Sequence, residues 1–547
     1  MRKWLPLLTV WLGTFMLLVD VTIVIVALPD MVDDLGASFR ALQWVIDAYA
    51  LALGALVLGA GSIADRVGHR RAYVVGLAVF AVSSLLCGLA PNPGVLIAAR
   101  AVQGVGAAAM FATTFALLNS AYVGRDRGSA YGIWGAVSGA SAAVGPILGG
   151  LLTEGASWRW IFLVNLPVSA VAILLCATTL TVAHATVRGR IDVAGMVSFT
   201  AAAGCATYAL IRANEDGWSA AAVWWLLVVA ALLLAGFVAI EARTRHAMSD
   251  LALLRDRSFV AVLLAGLLLT FAAFTTLTYT SIWLQSVLGL SPLAAGLTGL
   301  PMSVTAIAVS AALGRVLHGR RPDLVIGAGL LFVGLGSLLT AALVHGSASW
   351  PALLPGVALI GVGVGLATPI LGSVSMSLVP AERGGMAAGA VNTTRQLGFA
   401  FGVAALGSVF TAQAQTIVAG RGIADPAHVA HAIAGGQTPG LLRATPAAGR
   451  HLLDSAAHAA GVAGVQATFA VAGAVGVLAS LLVIVLMRPG RPRTAASTAR
   501  PPVAEARDAD GAPERGPGGP SGEARAGMVA AVTGIGGPPA ARTEEAQ

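Results

Sequence analysis

The sequence predicts an all-α protein that threads a membrane fourteen times, and three observations carry that prediction. Only 11% of the 547 residues are charged and 57% are hydrophobic, whereas about 25% of an ordinary soluble chain is charged. The apolar residues come in long runs separated by short charged or Gly/Pro breaks, and each run approaches the ~20 residues that a spanning helix needs. The basic residues recur in small groups in alternate breaks rather than in one patch, which is a topology signal. A single soluble core stops growing at about 250–300 residues. At a mean hydropathy of +0.83, the remaining apolar surface has only lipid to face.

In order, the runs are 5–29, 42–64, 72–90, 94–118, 131–152, 160–183, 193–211, 222–241, 259–286, 293–314, 324–344, 351–378, 386–411 and 464–487. The first follows Met1-Arg2-Lys3 as a secretory signal would, but it is too long for one and contains Asp20, so it reads as a retained span. An even number of spans puts both termini on one side. With that side inside, the cytoplasmic loops hold seventeen basic residues between Arg2 and Arg383, and the short outer loops hold only Arg40, Arg159 and Arg212. That bias predicts cytoplasmic termini and a multi-pass protein of the inner (plasma) membrane. Trp4, Trp44, Trp158, Trp160, Trp218, Trp224, Trp225 and Trp350 fall near the predicted interfaces, where aromatic belts form. Residues 412–463 read as a long Ala-rich external loop with room for short helices. Residues 489–547, rich in Pro, Gly, Ala, Arg and Glu, read as a disordered cytoplasmic tail.

Several chemistries lack their parts. The pI near 10.1 comes from dispersed loop arginines, so no nucleic-acid partner is expected. Cys87, Cys176 and Cys205 all lie in apolar runs and indicate no disulfide framework. Lys3 is the only lysine and no glycine-rich loop surrounds it, so a Walker-type ATPase is excluded. There is no H-E-x-x-H sequence, and none of the nine histidines lies well inside a span. Neither an enzyme activity nor a metal or cofactor is expected. Gradient-driven transport, a channel and a non-transporting receptor remain, with a monomer in the lipid bilayer as the expected state.

Ionisable side chains inside a bilayer are costly and mark functional sites. At ~1.5 Å rise per residue, Asp20 lies ~13 Å from the outer end of its span, Arg100 ~9 Å and Asp47 ~8 Å. Depth alone therefore lets the three meet. Burial favours a neutral carboxyl and a neighbouring arginine favours the charged one, and a site where these compete can load and release a proton. Arg395 is a fourth charge, about ten residues into the thirteenth span; it can face a cavity or snorkel to the cytoplasmic surface.

The loop between spans 2 and 3 reads Gly61-Ser62-Ile63-Ala64-Asp65-Arg66-Val67-Gly68-His69-Arg70-Arg71. It resembles the signature of the major facilitator superfamily, G-x-x-x-D-R-x-G-R-R-R, with His69 at a usually basic position. Gly61 permits close helix approach, Asp65 suits the positive N-terminal end of a neighbouring helix, and Arg66, Arg70 and Arg71 are placed to bind carboxylates. Three further stretches resemble the drug:proton antiporter branch with fourteen spans. Asp20-Val21-Thr22-Ile23-Val24 with Ala27-Leu28-Pro29 is similar to D-x-T-I-V-N-V-A-L-P, with Ile25 in place of Asn. Arg100-Ala101-Val102-Gln103-Gly104-Val105-Gly106 is similar to R-x-x-Q-G-x-G. Gly132, Gly145, Pro146, Gly149 and Gly150 fit the antiporter motif, with Ser141 replacing a glycine. Trp158-Arg159-Trp160-Ile161-Phe162-Leu163-Val164-Asn165-Leu166-Pro167 also looks like a branch motif. A degenerate echo, Gly314-Arg315-Val316-Leu317-His318-Gly319-Arg320-Arg321, appears in the second half without its acid.

The resemblance implies two six-helix bundles, 1–185 and 259–488, separated by two extra spans within 186–258, with the tail from 489. It implies export of drugs, antibiotics or metabolites by proton antiport, the proton gradient replacing any cofactor. Asp20, Arg100 and Asp47 would couple protons, and Gly61, Asp65, Arg66, Gly68, Arg70 and Arg71 would switch conformation. Gln103, Asn165, Asn392 and Arg395 are candidates to line the cavity. A lipid or self-made natural product as cargo, or a non-transporting receptor, are the alternatives.

Overall fold

The computed structural model describes residues 4–36, 39–179, 192–244, 251–317, 321–346, 349–380 and 383–487. All regular structure among them is helical: α1 (Leu5–Leu35), α2 (Phe39–Val67), α3 (His69–Gly88), α4 (Pro93–Ala121), α5 (Gly124–Gly155), α6 (Trp160–Leu163), α7 (Asn165–Thr179), α8 (Val193–Asp216), α9 (Ala221–Arg243), α10 (Arg257–Ala273), α11 (Thr275–Ile282), α12 (Pro292–Leu297), α13 (Leu300–Leu317), α14 (Pro322–Leu343), α15 (Leu354–Ser377), α16 (Gly384–Ala419), α17 (Pro426–Ala434), α18 (Thr438–Ala444) and α19 (Ala447–Leu486). A single π-type turn, Trp283–Val287, continues α11.

Thirteen of the expected spans coincide with helical segments long and apolar enough to cross a membrane, counted among the described residues. The other, 131–152, lies inside the 32-residue α5. Local chemistry explains the breaks. Asn92 caps α4 by accepting from the Val95 N–H at 3.0 Å, with Pro93 in the first turn where no donor is needed. Asp192 and Asp256 cap α8 and α10 in the same way. Between α2 and α3 the chain turns at Gly68 with φ 96°, a conformation that disfavours any residue with a Cβ.

Buried side chains form one large cluster from Ala261 to Met487 and a second built mainly from residues 7–176. Outward faces carry exposed Leu174, Leu232, Trp225 and Val485, a surface suited to lipid. The α8–α9 hairpin leans on both halves: Trp44 of α2 packs on Tyr208, and Trp218 donates to Ser408 of α16 at 2.7 Å.

The region expected to be an external loop is more helical than its composition suggested. Much of the predicted external loop 412–463 is helical, being the end of α16, the short α17 and α18, and the first seventeen residues of the 40-residue α19. Alanine has the highest helix propensity and extends these helices past the point where hydropathy falls. Val429, Ala430 and Ile433 of α17 are buried in the second cluster's larger neighbour. The predicted tail, 489–547, lies outside the described residues.

Candidate functional site

The centre of the first half is a closed polar cluster around Asp20. Arg100 Nη1 donates to Asp20 Oδ2 and to Gln103 Oε1 at 2.8 Å, while Nε donates to the Val45 carbonyl at 2.9 Å. The other carboxylate oxygen, Oδ1, accepts from Gln103 Nε2 at 3.0 Å and from Asn165 Nδ2 at 3.2 Å. Ser84 Oγ accepts from the same two amides, at 2.8 and 3.3 Å. The guanidinium lies over the Tyr49 ring at 4.3 Å, and Arg100 Nη2 makes no hydrogen bond. Asp20, Arg100 and Gln103 are at most 1% exposed. Five helices converge here, α1, α2, α3, α4 and α7. Gly104 lets α4 approach: a Cβ there would stand 2.7 Å from the Tyr49 carbonyl oxygen.

The expected Asp20–Arg100 pairing is present. Gln103 and Asn165, expected to line a cavity, instead hold Asp20 inside the cluster. Tyr49, Ser84, Val45 and Cys87, whose thiol lies 3.8 Å from Gln103 Oε1, carried no sequence signal as members. No hydrogen bond or ion pair joins Asp47 to Asp20 or Arg100. Val45 and Tyr49 face Arg100, and Asp47, two residues from each, turns to another side of α2 at 100° per residue. That side continues through Gly54, which faces Gln396, and Gly61, which faces Gly385.

Ionic pairing at this depth cuts both ways. Removing one partner of a buried pair typically costs about 3–5 kcal/mol because the other charge stays buried and uncompensated. Protonating Asp20 has the same electrostatic consequence for Arg100. The cluster is thus stable with a charged carboxylate and under stress with a neutral one.

The antiporter-motif helix abuts this site. A Cβ on Gly145 of α5 would stand 1.9 Å from Thr22 Oγ1, two residues beyond Asp20 on α1. Gly145→Leu is expected to push α5 off α1 and abolish transport without preventing insertion; wild-type efflux by that variant would show the contact to be dispensable. Gly132 and Gly149 are buried, and α5 remains helical through Gly145-Pro146. Gly150 has open space where a Cβ would go, so packing does not require glycine there.

At the opposite end of α2, Asp65 Oδ1 accepts from the Gly385 N–H at 2.7 Å and Oδ2 from the Met386 N–H at 2.9 Å. These are orphan donors of the first turn of α16, where a carboxylate also opposes the helix dipole. A Cβ on Gly61 would lie 2.3 Å from the Gly385 carbonyl oxygen. The neighbouring helix expected for Asp65 is therefore α16, and this face of the two halves is shut. Arg66 donates to Ser62 Oγ at 2.7 Å. Arg70, expected on a carboxylate, donates to the Ala177 carbonyl at 2.8 Å, near the end of α7 where the dipole is negative. Arg71 is exposed, and His69 Nε2 lies 3.5 Å from Asp65 Oδ1. In the second half, buried Asp323 just after the echo pairs with Arg321 at 2.6 Å.

One group escaped the sequence reading. α1 runs past its predicted end to Leu35, and Asp34 there accepts from Arg159 Nη1 and, at 3.0 Å, from Trp158 Nε1. Arg159 also donates to the Ala90 carbonyl at 3.3 Å. This clasp ties α1 to the segment before α6 beside a cavity of about 360 Å³ lined by Asp30, Asp34, Thr153, Ala156, Ser157 and Trp158. The Arg159 hydrogen bond, then that of Trp158, holds the Asp34 carboxyl below its ordinary 3.8. A lowered folded-state value contributes stability above the unfolded value and loses it as pH falls through the folded one. The melting temperature of wild type should therefore exceed that of Asp34→Asn at pH 5–8, with the gap closing below about pH 4. A gap that does not narrow at all as pH falls below 4 would contradict the clasp.

Arg395 lies on α16 between α10 and α5. It lies eleven residues after Gly384, ~16 Å along the helix and so near mid-membrane for a ~30 Å hydrocarbon core. Its stem packs against Gly266 of α10, and its guanidinium reaches to 5.9 Å from the Trp134 ring of α5. It is partly exposed. Asn392, a turn earlier, is fully buried and donates to the Phe111 carbonyl of α4 at 3.1 Å. An arginine at mid-bilayer costs at least about 2.5–3.5 kcal/mol, while stacking on an aromatic face returns about 0.5–2 kcal/mol. Trp134 alone does not compensate it.

Residues 10–403 match the model of the Major Facilitator Superfamily. The chain belongs to that superfamily. It is thus a multi-pass membrane transporter and not an enzyme. Multidrug resistance protein Stp of Mycobacterium tuberculosis (strain CDC 1551 / Oshkosh) is 36% identical over 409 residues, covering 75% of this chain and 76% of that protein. Puromycin resistance protein pur8 of Streptomyces alboniger is 36% identical over 474 residues, covering 84% and 93%. The tetracenomycin C resistance and export protein of Streptomyces glaucescens is 32% identical over 505 residues, covering 88% and 91%. The crystal structure of the human organic anion transporter MFSD10 (TETRAN) shares the fold, with a TM-score of 0.58 at 14% identity over 88% of this chain and 99% of that one.

Proposed function

We propose that this superfamily member exports small amphiphilic organic molecules, of the drug or antibiotic kind, in exchange for protons. The relatives named for multidrug resistance, puromycin resistance and tetracenomycin C export support the direction and the class of cargo. The observation that carries the coupling is Asp20, a fully buried carboxylate whose negative charge is matched by Arg100 and whose lone pairs are taken by Gln103 and Asn165. A proton arriving from outside neutralises Asp20 and leaves Arg100 without its anion. The strain is relieved when α1 and α4 shift, and that shift is linked to opening of the opposite face. With both termini cytoplasmic, the Asp65–α16 contact is the inner gate, and it parts while the outer face closes. The proton then leaves inward and cargo binds.

Everted vesicles test the reading. With an acidified lumen, cargo chosen from a panel of antibiotics should alkalinise the lumen as it is pumped in exchange for exiting protons. A flat trace with compounds to which the expressed chain confers resistance would overturn antiport.

A further inference from the structure

The guanidinium of Arg395 has no acidic or carbonyl partner among the described residues, and its one polar contact is the Trp134 face. Asp20 is paired with Arg100, Gln103 and Asn165 instead. The position is not peripheral. Asn392 bonds α4 and Gln396 lies against Gly54 of α2, so Arg395 stands on the segment of α16 that meets the first half, and its head crosses to α5. Arg395 is partly exposed, so protein does not seal it off entirely. The Trp134 contact takes up none of the guanidinium N–H donors, which in pairs match the two oxygens of a carboxylate.

We propose that Arg395 recognises a single oxyanion on the cargo, so that the preferred substrates are amphiphilic organic acids, with Trp134 fixing the plane of the guanidinium. The assignment rests on the export reading for the word substrate, and its binding chemistry is separable from transport. Two intramembrane cations, Arg100 and Arg395, then have distinct roles: the first is matched within the protein and the second is matched by cargo.

The test uses the purified full chain in lipid nanodiscs at pH 7 and ring-matched probes: 9-anthracenecarboxylate against 9-(aminomethyl)anthracene, and 1-naphthoate against 1-naphthylmethylamine. Wild type should bind the carboxylate of at least one pair about tenfold or more tightly than its amine, the scale of a charge-assisted hydrogen-bonded pair. Arg395→Gln should bring that ratio close to one, and Arg395→Lys should restore part of it, which separates charge recognition from misfolding. Equal or weaker binding of the carboxylates by wild type, including no carboxylate binding at all, overturns the proposal. An unchanged ratio in Arg395→Gln does the same. Vesicle export of the same probes is scored separately. Carboxylate binding that depends on Arg395 but without export would sink the export reading and leave this site standing. Export of amines indifferent to Arg395 would do the reverse.

Discussion

Asp20→Asn is expected to reduce proton-driven efflux to the level of cells lacking the protein, while the variant still inserts and purifies as a monodisperse species. The side chain keeps its volume, so the packing of α1 against α4 and α7 is retained. What changes is charge and donor count. The amide presents one acceptor where Asp20 offers two oxygens to Arg100, Gln103 and Asn165, and its NH2 group faces donors. Arg100, 0% exposed, is left as a buried cation without an anion, so a lower melting temperature accompanies the loss, on the scale of about 3–5 kcal/mol for a broken buried pair. The variant is fixed in the state that protonation produces and cannot return from it. Resistance assays and vesicle transport check the first effect, and a thermal melt checks the second. Wild-type efflux from Asp20→Asn would remove this carboxylate from the coupling.

Gly61→Val is expected to hold the Asp65 face open and stop turnover. The added Cβ would stand 2.3 Å from the Gly385 carbonyl oxygen and 2.8 Å from its carbon, both backbone atoms that no rotamer change can move. The contact that lets Asp65 reach the first N–H groups of α16 could not form. Asp65→Asn is the milder version, since one amide oxygen still accepts; weakening two charge-assisted hydrogen bonds costs about 1.5–3 kcal/mol, which shifts an open–closed equilibrium roughly 10- to 150-fold. A thiol introduced at Leu58, which packs on Gly389 of α16, should be labelled several-fold faster in everted vesicles by an impermeant maleimide when Gly61 is Val. Unchanged labelling together with unchanged transport would show that this face does not gate.

The bundle was legible because hydropathy and loop charge are set by lipid, a solvent whose demands are local along the chain. The apolar runs, the charged and Gly/Pro breaks between them, and the intramembrane Asp20 and Arg100 are of that kind. What escaped was non-local or chemically bland. Asp65 and Gly385 are 320 residues apart, and no local pattern names α16 as the partner. Val45 enters the cluster through its carbonyl and Tyr49 through its ring, and both look like ordinary core residues in sequence. Gln103 and Asn165 were visible as intramembrane polar groups, but only helix rotation decides whether an amide faces a cavity or a carboxylate. Asp47 shows the converse: its depth matched Asp20, and its azimuth on α2 did not. Short helices were expected within 412–463 but not their extent, because alanine carries strong helix propensity and little hydropathy contrast.

The central claim is that cargo and a proton compete through Asp20. The direct measurement is proton release from the detergent-solubilised full chain, followed with a pH-indicator dye in weak buffer as a transported compound is added. Wild type should release up to about one proton per bound molecule, and Asp20→Asn should show no such release. Equal proton release from wild type and Asp20→Asn would contradict the account.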